Sequence, residues 1–177
     1  MVVIVSGPRD CGKTTWCREN LNPGSTGGVL LVKVFRENVL IGYDAVRMTG
    51  GDGVRLMRIR DGSGGVSPDW DPVDEIGRFS ISARGLDRAA DWIREAAEDA
   101  SRDVLVDEVG RLELNGRGFS PAVEFVVRRL GVGGERTLYL VVRITFVRDI
   151  LKLFGIEEAQ VLEIENGTVR SRSTVRT

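Results

Sequence analysis

Eight residues near the start of the chain have the spacing of a phosphate-binding loop. They fit the pattern G-x-x-x-x-G-K-[ST] and are Gly7, Pro8, Arg9, Asp10, Cys11, Gly12, Lys13 and Thr14. In such a loop, successive backbone N–H groups cradle phosphate oxygens, and the dipole of the following helix adds partial positive charge. The lysine reaches the β- and γ-phosphates, and the threonine hydroxyl binds Mg²⁺. The loop therefore predicts nucleotide binding, with Lys13 and Thr14 in these two roles.

A second group of polar residues follows a buried strand in the middle of the chain. Val104, Leu105 and Val106 form a continuous apolar run, and Asp107 and Glu108 come directly after it. Ligands of open parallel sheets bind at the carboxyl ends of the strands. An aspartate there can hold Mg²⁺, and an adjacent glutamate can orient an attacking water or accept its proton. The pair therefore favours hydrolysis of a bound nucleotide.

Transfer of a γ-phosphate also requires positive charge in the transition state. Arg143 is the best candidate because it follows a predicted parallel strand. The carboxyl edge of the predicted sheet comprises Ser6-Gly7, Ser82 to Arg84, Asp107-Glu108 and Arg143. The other candidates by position are Arg9, Arg84, Arg111, Arg117 and Arg148.

The elements that position these groups alternate between strands and helices. This order predicts an α/β three-layer sandwich in one domain, with a mostly parallel sheet and an antiparallel hairpin insertion at about residues 29–60. The predicted strands are 2–6, 29–36, 39–48, 54–60, 78–82, 104–106, 138–142 and 161–169, the last with a tight turn at Asn166-Gly167. Helices are predicted at 14–20, at 86–97, after an N-cap at Ser120 with Pro121 at the first helical position, and across Phe146, Ile150 and Leu153. Residues 61–75 are predicted to be a loop that contains Trp70.

Composition excludes several classes of protein. The chain has 177 residues, a formal net charge of −1, no histidine and two cysteines, Cys11 and Cys17. Without histidine, Ser-His, Cys-His and His-ligated metal sites are impossible. The cysteines are poorly placed to pair, and no signal peptide or membrane span is recognisable. We expect a cytoplasmic protein, monomeric or weakly oligomeric, with no nucleic-acid or membrane partner.

The segment around the paired carboxylates carries a family resemblance. Residues 107–114 read D-E-V-G-R-L-E-L, which resembles the D-E-[IV]-G-[KR]-[ML]-E-L motif of the THEP-type nucleoside-triphosphatases, including the cancer-related nucleoside-triphosphatase. Three shorter matches agree in order: G-K-T-T at 12–15, I-G-Y-D at 41–44 and G-R-F at 77–79.

The resemblance implies a P-loop α/β fold and slow, Mg²⁺-dependent hydrolysis of nucleoside triphosphates such as ATP and GTP. It assigns the phosphate contacts to Gly7 through Thr14, and the metal and water roles to Asp107 and Glu108. Thr15, Val109 and Gly110 adjoin these residues and are predicted to contact the nucleotide.

This chain departs from the family pattern in its loop and lid. Arg9 and Asp10 replace the usual proline and second glycine, and we expect the added carboxylate to weaken phosphate affinity. Asp tolerates left-handed backbone geometry, so the cradle itself should survive. Residues 49–53 lack the family's arginine, and the lid is shortened to residues 143–145.

Two other functions remain open at this stage. A nucleotide or nucleoside kinase on the same fold requires an acceptor pocket, and the short lid argues against it. An NTP-binding switch with little turnover would contact a partner, for which residues 61–70 are the candidate surface.

Overall fold

The computed structural model describes residues 1–60, 69–131 and 135–177. The helices in these ranges are α1 (Lys13–Asn20), α2 (Ala83–Glu98), α3 (Ser120–Leu130) and α4 (Val147–Leu153), with short 3₁₀ turns at Glu113–Asn115 and Ile144–Phe146. The strands are β1 (Val2–Gly7), β2 (Thr26–Arg36), β3 (Val39–Arg47), β4 (Gly53–Ile59), β5 (Pro72–Ile76), β6 (Phe79–Ser82), β7 (Asp103–Val109), β8 (Leu138–Arg143), β9 (Glu158–Glu165) and β10 (Thr168–Arg176).

All of these strands belong to one sheet in the order β10-β9-β1-β8-β7-β2-β3-β4-β6-β5. The five strands from β9 to β2 pair in parallel. Antiparallel strands extend both edges, with β10 beyond β9 and with β3, β4, β6 and β5 beyond β2. The predicted P-loop α/β fold with an antiparallel insertion is confirmed, and the antiparallel part is larger than predicted.

The two faces of the sheet are covered unequally. Alternate residues of a strand point to opposite faces, so Ile4 of β1 joins one core and Val3 and Val5 join the other. The larger core contains the buried faces of α2, α3 and α4. The smaller core contains Cys17 and Leu21 from α1 and its C-terminal end.

The first turn of helix α2 packs closely against the antiparallel strands beyond β2. Its N-cap is Ser82, whose hydroxyl accepts a hydrogen bond of 3.0 Å from the backbone N–H of Gly85. A Cβ at Gly85 would lie 2.1 Å from the carbonyl oxygen of Arg55, so only glycine permits this approach to β4. The predicted amphipathic face is buried at Ala89, Ala90, Ile93, Ala96 and Ala97.

Four details differ from the sequence prediction. The end of the predicted loop 61–75 is strand β5, and residues 61–68 lie outside the described residues. The terminal strand predicted at 161–169 becomes two strands, β9 and β10, which form a longer hairpin around the predicted turn at Asn166-Gly167. Helix α3 begins one residue early, so that Phe119 is the N-cap and Ser120 is already helical. Leu153 is 42% exposed, because the buried face of α4 consists of Val147, Ile150 and Leu151.

Polar contacts attach β5 and the preceding residues to the sheet. The indole N–H of half-buried Trp70 donates to Ser80 Oγ at 3.0 Å, so Trp70 is not the exposed contact that a switch would need. Asp71 accepts from Ser82 Oγ at 2.6 Å and from Arg84 Nε at 2.9 Å. Strand β5 depends on these contacts and on its antiparallel pairing with β6, which the local sequence of residues 72–76 does not indicate.

No helix in the described ranges combines the length and the apolar composition that crossing a bilayer requires.

We predict that Ile93→Ala destabilises the fold by about 2–5 kcal/mol, since it leaves a cavity beneath α2. Ile93 is fully buried in the larger core, and the loss should appear in the free energy of unfolding measured with denaturant. The control is Asp87→Ala on the exposed face of the same helix, with an expected change within about 0.5 kcal/mol. Equal changes in the two variants would contradict this account of the core.

Candidate active site

The phosphate-binding loop has the backbone geometry of an anion cradle. Gly12 occupies the N-cap position of α1 in the left-handed region, with φ of 94°. No side chain in the described part of the protein caps this helix, so the N–H groups of its first turn are left for an anion. Asp10 also has a positive φ of 60°, as the replacement of a family glycine by aspartate led us to expect.

Lys13 lies within the loop. Its side chain is 7% exposed, and its ammonium donates to the carbonyl oxygen of Pro8 at 2.6 Å and to that of Gly7 at 3.3 Å. The two hydrogen bonds hold the ammonium of Lys13 inside the loop, where the sequence pattern predicts the β- and γ-phosphates to bind.

The C-terminal hairpin supports the loop from behind. The backbone N–H of Gly167 donates to the carbonyl oxygen of Cys11 at 2.9 Å. A Cβ at Gly12 would lie 2.7 Å from Cα of Gly167, and a Cβ at Gly7 would lie 2.6 Å from the carbonyl oxygen of Ile164. The first and sixth residues of the loop must therefore be glycine for the hairpin to pack this closely.

The loop is joined to β7 by a partly buried hydrogen bond. Thr14 Oγ1 donates to Asp107 Oδ2 at 2.7 Å, and the backbone N–H of Leu31 donates to the same oxygen at 3.1 Å. Asp107 is 1% exposed, and burial raises the pKa of its carboxyl to about 7 although both hydrogen bonds favour the charged form. A cation beside these oxygens would stabilise the carboxylate.

Glu108 and Arg143 meet at the ends of β7 and β8. Arg143 Nε lies 3.0 Å from Glu108 Oε1, and both side chains are partly exposed to the cavity in front of the loop. The parallel pairing of β1 and β8 places Arg143 opposite Gly7. The structure thus brings together three of the four strand ends that the sequence indicated, and the fourth, at Arg84, does not line the cavity.

The unusual carboxylate of the loop has its own cation. Lys33 Nζ on β2 lies 2.7 Å from Asp10 Oδ1, and Arg9 Nε lies 3.6 Å from Asp10 Oδ2. The hydrogen bond from Lys33 lowers the pKa of Asp10 below its usual value. Lys33 therefore offsets the negative charge that Asp10 adds near the phosphates, a compensation that the sequence did not reveal.

Glu113 organises the segment after β7. It is 3% exposed, and its two oxygens accept hydrogen bonds from the backbone N–H groups of Gly110 at 2.7 Å and Phe119 at 2.9 Å. Burial raises the pKa of its carboxyl. Its position in the D-E-V-G-R-L-E-L string is the only sequence signal of this role.

A cavity of about 870 Å³ lies in front of the loop. The predicted nucleotide-binding residues that line it are Arg9, Asp10, Cys11, Gly12, Lys13, Thr14, Thr15, Asp107, Glu108 and Gly110. Gly7 and Pro8 lie behind them and contact Lys13. Val109 does not line the cavity, and its side chain is fully buried in the larger core.

The candidate arginines fall into two groups. Arg9, Arg111 and Arg143 line the cavity, whereas Arg84, Arg117 and Arg148 do not. Arg84 pairs with Asp71, and Arg117 pairs with Asp74 at 2.6 Å, so both hold the β5 region in place. The prediction for Arg84 requires the strand before it to run parallel to the core strands. That strand, β6, is antiparallel to both of its neighbours.

Neither cysteine is in a disulfide. Cys11 and Cys17 are both free thiols, as predicted, and burial raises the pKa of the Cys17 thiol.

Comparisons with known proteins agree with this geometry. The family model described as NTPase matches residues 2–166. The chain belongs to the NTPase family. It is also 30% identical over 102 residues to the nucleoside-triphosphatase THEP1 of Archaeoglobus fulgidus, a match that covers 55% of this chain and 56% of the relative's length.

Two solved structures share the fold. The crystal structure of THEP1 from Aquifex aeolicus has a TM-score of 0.63 at 20% identity, and the match covers 93% of this chain and 90% of that one. The solution structure of a human cancer-related nucleoside triphosphatase has a TM-score of 0.58 at 20% identity, with 92% and 87% covered. The resemblance to THEP-type proteins that the D-E-V-G-R-L-E-L string indicated is confirmed.

We predict that Gly12→Ala weakens ATP binding by about tenfold or more, because the new Cβ conflicts with both the positive φ and the hairpin. Isothermal titration calorimetry would measure the Kd. The control is Gly50→Ala, where an added Cβ meets no described atom within 4 Å. An unchanged Kd in Gly12→Ala would show that the hairpin does not constrain the loop.

We also predict that Glu113→Gln lowers the free energy of unfolding by about 1–3 kcal/mol. The amide keeps one acceptor but turns an N–H₂ group toward a backbone N–H that needs an acceptor. The matched control is Glu124→Gln, an exposed residue of α3 that pairs with Arg128. A loss as small as that of the control would mean that Glu113 does not organise residues 110–119.

Proposed function

We propose that the protein hydrolyses nucleoside triphosphates, ATP and GTP among them, to the diphosphate and phosphate in a Mg²⁺-dependent reaction. The observation that carries the proposal is the contact between Thr14 and Asp107 beside Glu108, directly in front of the phosphate-binding loop. Membership of the NTPase family supports it.

The loop would bind the phosphates and fix their direction. The N–H groups at the start of α1 and the ammonium of Lys13 face the same space, so negative charge on a triphosphate would be neutralised there. Lys13 is withdrawn from solvent, which strengthens its attraction for a phosphate oxygen.

The donor set at the loop fits Mg²⁺. Thr14 Oγ1 and the carboxylate of Asp107 are hard oxygen ligands 2.7 Å apart, and phosphate oxygens and water would supply the rest. In the described residues, no group of three His, Cys, Asp or Glu side chains forms a complete metal site, which agrees with an ion held largely by the substrate. When bound, Mg²⁺ supplies charge neutralisation at the β- and γ-phosphates.

Glu108 is the proposed base. Its carboxylate faces the cavity next to Asp107, where it would orient a water and accept its proton as the water attacks the γ-phosphorus. Arg143 Nε donates to Glu108 Oε1 at 3.0 Å and so positions Glu108. The positive charge of Arg143 would also stabilise the negative charge that develops on the γ-phosphate.

Several further assignments remain proposals of the same kind. We propose a cytoplasmic location, which two unpaired thiols support, and a monomer or weak oligomer. The near-neutral net charge supports the absence of a nucleic-acid or membrane partner.

We predict that Glu108→Gln lowers the rate of phosphate release from ATP by about 10²-fold or more while ATP still binds. Glutamine can accept the hydrogen bond from Arg143 but cannot accept a proton from water. The control is Glu19→Gln at the exposed end of α1, and removal of Mg²⁺ with EDTA should stop release in both wild type and control.

Three other results would each contradict the proposal. Unchanged release in Glu108→Gln would exclude the assigned base. ATP consumption that requires an added nucleoside or nucleoside monophosphate, with the phosphoryl group recovered on it, would identify a kinase. Tight ATP binding by wild type without release of phosphate would identify a switch.

A further inference from the structure

The cavity in front of the loop has two chemically different ends. One end is polar and contains Lys13, Thr14 and Asp107. The other end lies under α2 and the antiparallel extension, and we call it the apolar compartment. Its walls are Tyr43, Met57, Phe79, Leu86, Leu112 and Phe119. The total volume of about 870 Å³ is near the upper end of the range for ligand pockets, roughly 300–1,000 Å³.

The position of the apolar compartment separates it from the nucleoside of a bound triphosphate. In the sheet, β7 with its carboxylates lies between β1, which leads into the loop, and the strands β3, β4 and β6 of the compartment. In a phosphate-binding loop, the γ-phosphate points toward the lysine and the metal ligands, here Lys13, Thr14 and Asp107. The compartment therefore lies beyond the γ-phosphate, whereas the nucleoside is attached at the other end of the phosphate chain.

The walls favour an aromatic ligand. The rings of Tyr43 and Phe79 meet edge to face, with centroids 5.5 Å apart and planes at 74°. Tyr43, Met57 and Leu86 are only half-buried, so part of this apolar surface remains accessible from the cavity. Flat aromatic groups pack well against such mixed aromatic and aliphatic walls.

The charges around the compartment favour an anion. Arg78 and Arg111 line it and are exposed, and neither pairs with a carboxylate among the described residues. One nitrogen of Arg78 donates to the carbonyl oxygen of Leu40 at 3.2 Å, and this hydrogen bond leaves the positive charge uncompensated. The guanidinium of Arg78 lies 5.3 Å from the centroid of the Phe79 ring. Neither nearby glutamate forms an ion pair with these arginines, because backbone N–H groups bind both oxygens of Glu113 and Glu108 pairs with Arg143.

We propose that the apolar compartment is a second ligand site, which binds a flat aromatic anion beside the γ-phosphate. The ring would pack on Phe79 and its neighbours, and the anionic group would face Arg78 and Arg111. A ligand held there would displace water from the front of Glu108 and so lower the rate of hydrolysis. The lowered rate of hydrolysis and the position of the γ-phosphate beside the compartment rest on the proposed function, whereas binding of the ligand does not.

The probe for this site is 8-anilinonaphthalene-1-sulfonate, an aromatic sulfonate whose fluorescence rises in apolar surroundings. We expect it to bind the intact protein with a saturable fluorescence increase that persists when a non-hydrolysable ATP analogue is saturating. Arg78→Ala and Arg111→Ala should each raise the Kd of the probe by about tenfold, which is the loss of one charge-assisted contact. Arg148→Ala is the matched control, since Arg148 is exposed and does not line the cavity.

The outcomes separate this site from the nucleotide site. Absence of saturable binding, displacement of the probe by the ATP analogue, or equal affinity in all three arginine variants would each overturn the proposal. In wild type, saturating probe should reduce the maximal rate of phosphate release, and an unchanged rate would overturn the placement beside the γ-phosphate. If wild type releases no phosphate at all, the proposed hydrolysis fails, while the fluorescence titration still decides whether the second site exists.

Discussion

The hydrogen bond from Thr14 to the buried carboxylate of Asp107 joins the two halves of the site. Thr14 belongs to the first turn of α1, and Asp107 lies in β7, two strands away from β1 in the sheet. Burying a carboxylate raises the free energy of the folded state unless hydrogen-bond donors or a cation lie beside it. The pairing of β1 with β8 and of β8 with β7 brings Thr14 within hydrogen-bond distance of Asp107. The backbone N–H of Leu31 ties β2 to the same oxygen. Both the proposed metal site and the position of Glu108 depend on this arrangement.

The charged side chains around the cavity are of two kinds. Some are held by ion pairs or hydrogen bonds within the protein, and others have no acidic partner in the described residues. Asp10 is matched by Lys33, and Glu108 is matched by Arg143. Glu113 is matched by backbone N–H groups and shapes residues 110–119. Lys13 lies at the polar end of the cavity, while Arg78 and Arg111 line its apolar end without an ion-pair partner in the described ranges. The same cavity therefore has one cationic group in the loop and two more at the opposite end.

The sequence predicted the parts of the site whose chemistry is local. The loop pattern placed Lys13 and Thr14, and the apolar run before Asp107 placed the two carboxylates at a strand end. The predictions failed where the outcome depended on pairing between distant segments. Strand β5 and most of β10 have short or charged sequences, so only pairing with β6 and β9 makes them strands. Arg84 was misplaced because nothing in its surroundings shows whether β6 runs parallel or antiparallel to its neighbours.

The sequence by itself determined the chemical groups, since glycines, a lysine, a threonine and adjacent carboxylates at these spacings serve few purposes other than phosphate binding and transfer. It also determined the parallel core, because continuous apolar runs between amphipathic helices must be buried on both faces. Only the tertiary structure decided which charges are neutralised, that Gly167 supports the loop, and that an apolar compartment opens beside Glu108. The reason is physical: spacing along the chain defines a backbone motif, whereas pairing, burial and cavity shape arise from segments that meet only in the folded state.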